Sequence, residues 1–343
     1  MHRSILFPAE WYPQSAIQIA WPHADTDWQD DLEEVIACYI SFSKEIAQRQ
    51  QLLIVCPNPD EVLSHFTIEE QRNITTAQLP TNDTWARDHA GISLLIDDQP
   101  AMADFGFNGW GLKFAAHHDN QITRRLFDQK VYSDTVQHIN HINFILEGGA
   151  IESDGCGTLM TTSQCMLAPN RNQPMTQEEI ANYLQTALGI DRILWVNHGY
   201  LAGDDTDSHI DTLARFCNET TIAYVQCNDP ADEHYQELQQ MEAELKTFRT
   251  LQGEPYTLIP LPMAEAVYND GYRLPATYAN FLILNDVVLI PYYNTPATDQ
   301  QARQQLQQAF PNREVIGIDC SPLIRQHGSL HCVTMQLPQG FIS

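Results

Sequence analysis

Short apolar runs bounded by turn residues recur along the whole chain and far outnumber the stretches with helical periodicity. Runs of this length, rich in β-branched and aromatic residues, read as strands. They fall at residues 16–21, 52–56, 91–96, 143–151, 158–162, 193–196, 221–225, 256–260, 281–291, 315–318 and 331–337, whereas helical patterns cover only 31–50, 176–188, 234–251 and 299–310. A doubly wound parallel sheet needs about one crossover helix per strand. Here each helix must serve two or three strands, and the run at 281–291 reads as a hairpin turning at Asn285-Asp286. An α/β unit of hairpin, helix and strand, repeated in a closed propeller-like array, satisfies both constraints. No Ser/Gly-rich linker or low-complexity run divides residues 1–343, so a single domain is expected.

Charge narrows the partners. Against 18 Lys+Arg the chain carries 44 Asp+Glu, a net charge of -26. Such a field repels nucleic acid and anionic membranes and attracts small cations. No stretch approaches the roughly 18 apolar residues of a membrane helix, and the first residues do not read as a signal peptide. The eight cysteines are scattered without a CxxC pair. These features predict a reducing, cytoplasmic setting with no disulfide framework and no zinc knuckle.

Four segments could carry chemistry. Thr81-Asn-Asp-Thr-Trp-Ala-Arg-Asp88 packs acids, an Arg and a Trp into a loop ahead of a strand, where sites are commonly built; a plain turn with a surface Arg87-Asp88 pair is the alternative. Ile145-Leu-Glu147-Gly-Gly sets a carboxylate beside two glycines in an apolar strand, which marks a bulge or a close approach and a tightly held acid. Gly203-Asp-Asp-Thr-Asp-Ser-His209-Ile-Asp211 puts His209 and Asp211 on one face if the segment is extended. Near the C-terminus, Gln326-His-Gly-Ser-Leu-His331-Cys332 places a thiol where a Gly-containing loop opens a strand, so Cys332 is an accessible nucleophile candidate. A divalent-metal site on the acid-rich loop competes with this reading, but His117-His118 and His138-x-x-His141 lie in polar, loop-like stretches expected to be solvated.

Taken together, Pro8-Ala-Glu-Trp11, Trp21-Pro22, Asn82-Asp-Thr-Trp-Ala-Arg-Asp88, Glu147-Gly-Gly, Asn170-Arg-Asn172, Asp205-Thr-x-x-His-Ile-Asp211 and His331-Cys332 resemble the agmatine deiminases and the bacterial-type peptidylarginine deiminase domain of the pentein superfamily. The resemblance implies a five-bladed α/β propeller of pseudo-symmetric ββαβ-like units around a central channel. It implies Cys332 as nucleophile, His209 as general acid and base, Asp88 and Asp211 as guanidinium-binding carboxylates, and Glu147 beside His209. Trp85 and Asp205 are candidates for the rest of the substrate, with Asp207 as a second choice for a distal ammonium. The implied reaction is agmatine plus water to N-carbamoylputrescine and ammonia through an amidino-cysteine, with no metal or other cofactor and with a possible homodimer. Arginine, peptidyl-arginine or another guanidino compound is the alternative substrate, and a non-catalytic pentein binding protein the alternative outside enzymes. Two departures bear on substrate: His327-Gly-Ser-Leu330 stands where the family usually shows Gly-Gly-Gly-Asn-Ile, and Ser208 replaces a usual Gly.

Overall fold

The structure is a computed structural model that describes residues 4–342. Five sheets of three or four strands, with one further two-stranded hairpin, make up its β-structure. Each of the five contains the same wiring. Ile92–Ile96 and Gln99–Gly106 pair antiparallel, a helix Ile122–Asp128 follows, and Gln137–Ile145 returns parallel to the second strand. Ile151–Ser153, Thr158–Thr162, helix Gln177–Leu188 and Arg192–Val196 repeat that order. So do Ala214–Asn218, Thr221–Gln226, helix Tyr235–Thr247 and Thr257–Pro262, and then Leu282–Ile283, Val287–Tyr292, helix Pro296–Ala309 and Glu314–Asp319. The fifth sheet joins the two ends of the described chain: Met335–Pro338 lies antiparallel to Gln14–Ala20, and helix Leu32–Ala47 leads to the parallel strand Gln51–Cys56.

All four expected helices form, three of them trimmed and the last starting three residues early, at Pro296. The helix after Pro174 is framed by a capping box between Thr176 and Glu179 and stopped by Gly189 at φ +67, and it buries Ile180, Leu184 and Leu188. The 281–291 hairpin turns where the sequence places it. Residues 143–151 are not one strand: the strand stops at Ile145, and a 3-10 turn Gly148–Ala150 separates it from Ile151–Ser153. The last strand begins at Met335 and not at 331, because the chain turns through 330–333. Strands Ile74–Gln78 and Gln99–Gly106 escape periodicity, one being Thr-rich and half-exposed, the other opening on Gln-Pro. His138 and His141 sit on the strand Gln137–Ile145 and not in a loop, bonding Asp104 at 2.9 Å and the Tyr183 hydroxyl at 2.8 Å. No helix among the described residues is long and apolar enough to cross a membrane.

A single buried guanidinium ties several of these units together. Arg215, fully buried on Ala214–Asn218, pairs with Glu10 from the N-terminal loop and Glu152 from Ile151–Ser153. It also donates to the Phe281 carbonyl at 2.6 Å and lies 4.6 Å from the Phe281 ring centroid. The second Glu10 oxygen accepts from Ile283 N at 2.6 Å. Removing one member of such a buried set strands its partners as uncompensated charges. Arg215→Met is therefore expected to cost about 3–5 kcal/mol in urea unfolding, and a wild-type midpoint would contradict this role.

Candidate active site

Asp88 enters the site on the short helix Ala86–His89 and is buried together with Arg87, so the two are not a surface pair. They point apart. Arg87 donates to Gln336 Oε1 at 2.7 Å. Asp88 Oδ2 accepts from Trp110 Nε1 at 3.0 Å, and Oδ1 accepts from the Gly149 amide at 3.0 Å. Burial, above all, pushes the Asp88 carboxyl up to about 6, with His209 opposing and Asp211 reinforcing.

Glu147 stands at the end of the strand before Gly148–Ala150, and the two glycines explain its surroundings. A Cβ on Gly148 would lie 2.2 Å from the Arg87 carbonyl. One on Gly149 would lie 2.6 Å from His209 Nδ1, 2.8 Å from Asp88 Oδ1 and 3.2 Å from Asp211 Oδ2. The absent side chain is what lets an imidazole and two carboxylates converge. His209 Nδ1 is 3.6 Å from Asp88 Oδ1 and Nε2 is 3.8 Å from Glu147 Oε2. Burial would lower the His209 pKa, but Asp88, Cys165 and Glu147 together hold it well above its ordinary value. Glu147 is held below its ordinary value against burial by His209 and by Arg171, whose Nε reaches both carboxylate oxygens at 3.0 Å.

His209 and Asp211 are not on an extended strand. The chain forms a 3-10 turn Ile210–Thr212, and the strand starts at Ala214. They still converge, because the turn wraps both around Gly149. Asp211 Oδ2 accepts from His331 Nδ1 at 2.8 Å. Ser208, where the family usually has Gly, has a left-handed φ of 65, a conformation that glycine adopts without strain.

Cys332 follows His331 in the final turn and is 8 % exposed. Asn280 Oδ1 accepts from the amides of His331 and Cys332 at 2.9 and 3.2 Å, and from the Cys332 thiol at 3.3 Å. Burial, then the Asp211 and Asp88 carboxylates, push the thiol well above its ordinary value. The sulfur opens on a cavity of about 280 Å³ lined also by Asp88, His209, Trp85, Trp110, Phe114 and Thr212, and by Asp27, Asp83, Asp204 and Asp205.

Of the sequence candidates, Trp85 and Asp205 line this cavity, whereas Asp207 is tied to Arg171 at 2.7 Å and Lys113 at 2.9 Å and is not free for a ligand. Asp204 accepts from Thr206 and the Ser208 amide and shapes the acid-rich loop. Among the described residues, two buried sets bring three possible metal-ligating atoms within 4.8 Å, Glu147 with Cys165 and His209, and Glu10 with Glu152 and His331. Each set already contains carboxylates paired to an arginine, which offsets the charge a cation would neutralise. Sequence reasoning missed Trp110, Asn280, Cys165 and Asp27, and held Asp83 only as a member of the 81–88 segment. The Gly109-Trp110-Gly111 triplet offered one signal, since two glycines around an aromatic mark a tight turn, and all three residues indeed have positive φ.

The family model described as Porphyromonas-type peptidyl-arginine deiminase matches residues 6–338. The agmatine deiminase of Stutzerimonas stutzeri (strain A1501) is 30% identical, over 98% of this chain and 96% of its own. A crystal structure from Porphyromonas gingivalis, described as an arginine deiminase, is 54% identical with a TM-score of 0.96, covering 99% of this chain and 100% of that one. A cysteine-to-serine variant of the C. jejuni agmatine deiminase with substrate bound is 35% identical with a TM-score of 0.92, covering 99% and 98%.

The electrostatics of Cys332 can be read directly. In the unliganded protein, peptide-resolved alkylation of Cys332 should rise only above the ordinary thiol value of 9.0. Asp88→Asn and Asp211→Asn should each move that profile to lower pH by removing a negative neighbour. Rapid alkylation at neutral pH in the wild type would contradict it.

Proposed function

The chain belongs to the Porphyromonas-type peptidyl-arginine deiminase family, and from that premise we propose that it hydrolyses the guanidino group of agmatine to N-carbamoylputrescine and ammonia. The observation that carries the substrate choice is the charge of the cavity: five of its lining residues are aspartates, Asp27, Asp83, Asp88, Asp204 and Asp205. Its one lining arginine, Arg325, is paired to Asp31 and Glu34. Arg171 and Arg273 are likewise engaged, with Glu147 and Asp207 and with Asp232 and Glu233. An α-carboxylate therefore meets surplus anion and, among the described residues, no unpaired arginine at the cavity, while agmatine offers a second ammonium. Asp205, Asp83 and Asp27 are the acids for that ammonium, and Trp85 packs along the aliphatic chain.

In this reading Asp88 and Asp211 accept the guanidinium N–H donors and fix its carbon before Cys332. The arriving cation offsets the carboxylates, the thiol loses its proton to solvent, and the sulfur attacks the carbon to form a tetrahedral adduct. The imidazolium of His209, beside Glu147, gives its proton to one terminal nitrogen. That C–N bond breaks, ammonia leaves, and an amidino-thioether remains. The now neutral imidazole takes a proton from water, whose oxygen attacks the same carbon. The adduct's hydroxyl proton passes to solvent as the C–S bond breaks, restoring the thiolate and releasing the ureido product. The C. jejuni agmatine deiminase with substrate bound carries a cysteine-to-serine change, which supports a cysteine in this role.

The same premise makes the five sheets the five pseudo-symmetric blades of one propeller across the described residues 4–342, with the site at its central channel. The five repeated hairpin-helix-strand units support that arrangement. The free cysteines suit a reducing cytoplasm. Arginine as substrate is favoured by Arg325 at the cavity wall and by the description of the 54%-identical Porphyromonas gingivalis structure.

Ammonia release from agmatine, arginine and a blocked arginyl peptide, assayed side by side, tests the reading. Close like charge at an effective dielectric of about 20 should disfavour arginine by about a hundredfold in kcat/KM. Equal or better turnover of arginine would overturn the substrate, and silence on every guanidino compound would overturn the reaction.

A further inference from the structure

Asp211 carries a fully buried carboxylate oxygen, Oδ1, with no hydrogen-bond partner among the described residues. Buried acceptors are rarely left so, because water that would have bonded them is gone. The other oxygen, Oδ2, is held by His331 Nδ1 at 2.8 Å. The far nitrogen of that ring, Nε2, lies 2.8 Å from Glu10 Oε2. Glu10 is itself fixed by Arg215 and by the Ile283 amide. Ionised carboxylates only accept, so the ring donates from both nitrogens and is pinned at both ends. Its backbone amide is pinned too, by the Asn280 oxygen that also holds Cys332.

We propose that His331 is a positioning residue for the guanidinium: it grips Asp211 by Oδ2, so that Oδ1 faces an N–H of the substrate in one fixed direction. The proposal rests on the guanidino-hydrolase reading and assigns that reading's most buried carboxylate a mechanism of aim. Glu10 and Arg215 brace the ring from behind, and Asn280 Oδ1 holds the His331 backbone amide and the Cys332 thiol from one atom. The unsatisfied oxygen is then the acceptor that the substrate completes. Burial alone would raise the Asp211 carboxyl, yet the hydrogen bond and charge of His331, with His209 and Arg215, bring it below its ordinary value. The carboxylate thus stays ionised where it is needed.

The test is His331→Gln, read by steady-state kinetics on agmatine across pH and by calorimetric binding of agmatine in a Cys332→Ala background. The variant should raise KM by about tenfold or more while changing kcat much less, because orientation is lost equally in ground and transition states. The acid limb of kcat/KM should move to higher pH, since Asp211 then lacks its donor and titrates upward among His209, Arg215 and Arg87. Binding losses from His331→Gln and Asp211→Asn should be strongly non-additive. Glu10→Gln keeps the imidazole but loosens its far anchor, and it should show a smaller change of the same kind even if His331→Gln does not fold. Unchanged KM and pH profile in a folded variant, or additive losses, would overturn the positioning role alone. Wild-type protein that releases no ammonia from any guanidino compound would overturn the reading beneath it.

Discussion

Burying many carboxylates in one region is the constraint on which the rest of the structure depends. Glu10, Asp88, Glu147, Glu152 and Asp211 are all buried, and each must be offset or its ionised form becomes untenable. The protein meets this with few cations. Arg215 serves Glu10 and Glu152, Arg171 serves Glu147, and His331 lies between Glu10 and Asp211. Asp88 has no Lys or Arg within ion-pairing distance among the described residues, only His209 at 3.6 Å. Its carboxyl is accordingly raised, and the place where positive charge is wanting lies beside Cys332. A planar cation entering there completes the charge balance that folding leaves open.

The same arrangement accounts for the resting nucleophile. A thiol among carboxylates is disfavoured as thiolate, and in the proposed reading its ionisation waits for the arriving cation. Glycine makes the convergence possible: with any side chain at 149, His209, Asp88 and Asp211 could not share the space they occupy. The acid-rich loop gains its shape from within, with Asp204 accepting from Thr206 and the Ser208 amide and Asp207 bridging Arg171 and Lys113. Not every acid there is available to a ligand.

Much of this was legible in the chain. The hairpin, helix and strand grammar followed from counting helices against strands, and the Glu147-Gly-Gly segment announced a close approach that Gly149 then displays. His209 and Asp211 do converge at Gly149, but through a 3-10 turn and not through the extended strand the sequence suggests. What stayed hidden was contact across long sequence distance. Asn280 meets Cys332 across 52 residues, and Glu10 meets Arg215 across 205; no local pattern encodes either. Trp110 was hidden for another reason, because its aim at Asp88 depends on backbone conformations that only the folded loop selects.

The central claim is that Cys332 forms a covalent bond to the substrate's guanidino carbon, with His209 needed to resolve it. Acid quenching of the wild-type protein during turnover of agmatine, followed by peptide-resolved mass spectrometry, tests that directly. The account predicts an amidino adduct confined to the peptide containing Cys332; an adduct on another cysteine, or ammonia release by a Cys332→Ala variant at the wild-type rate, would contradict it.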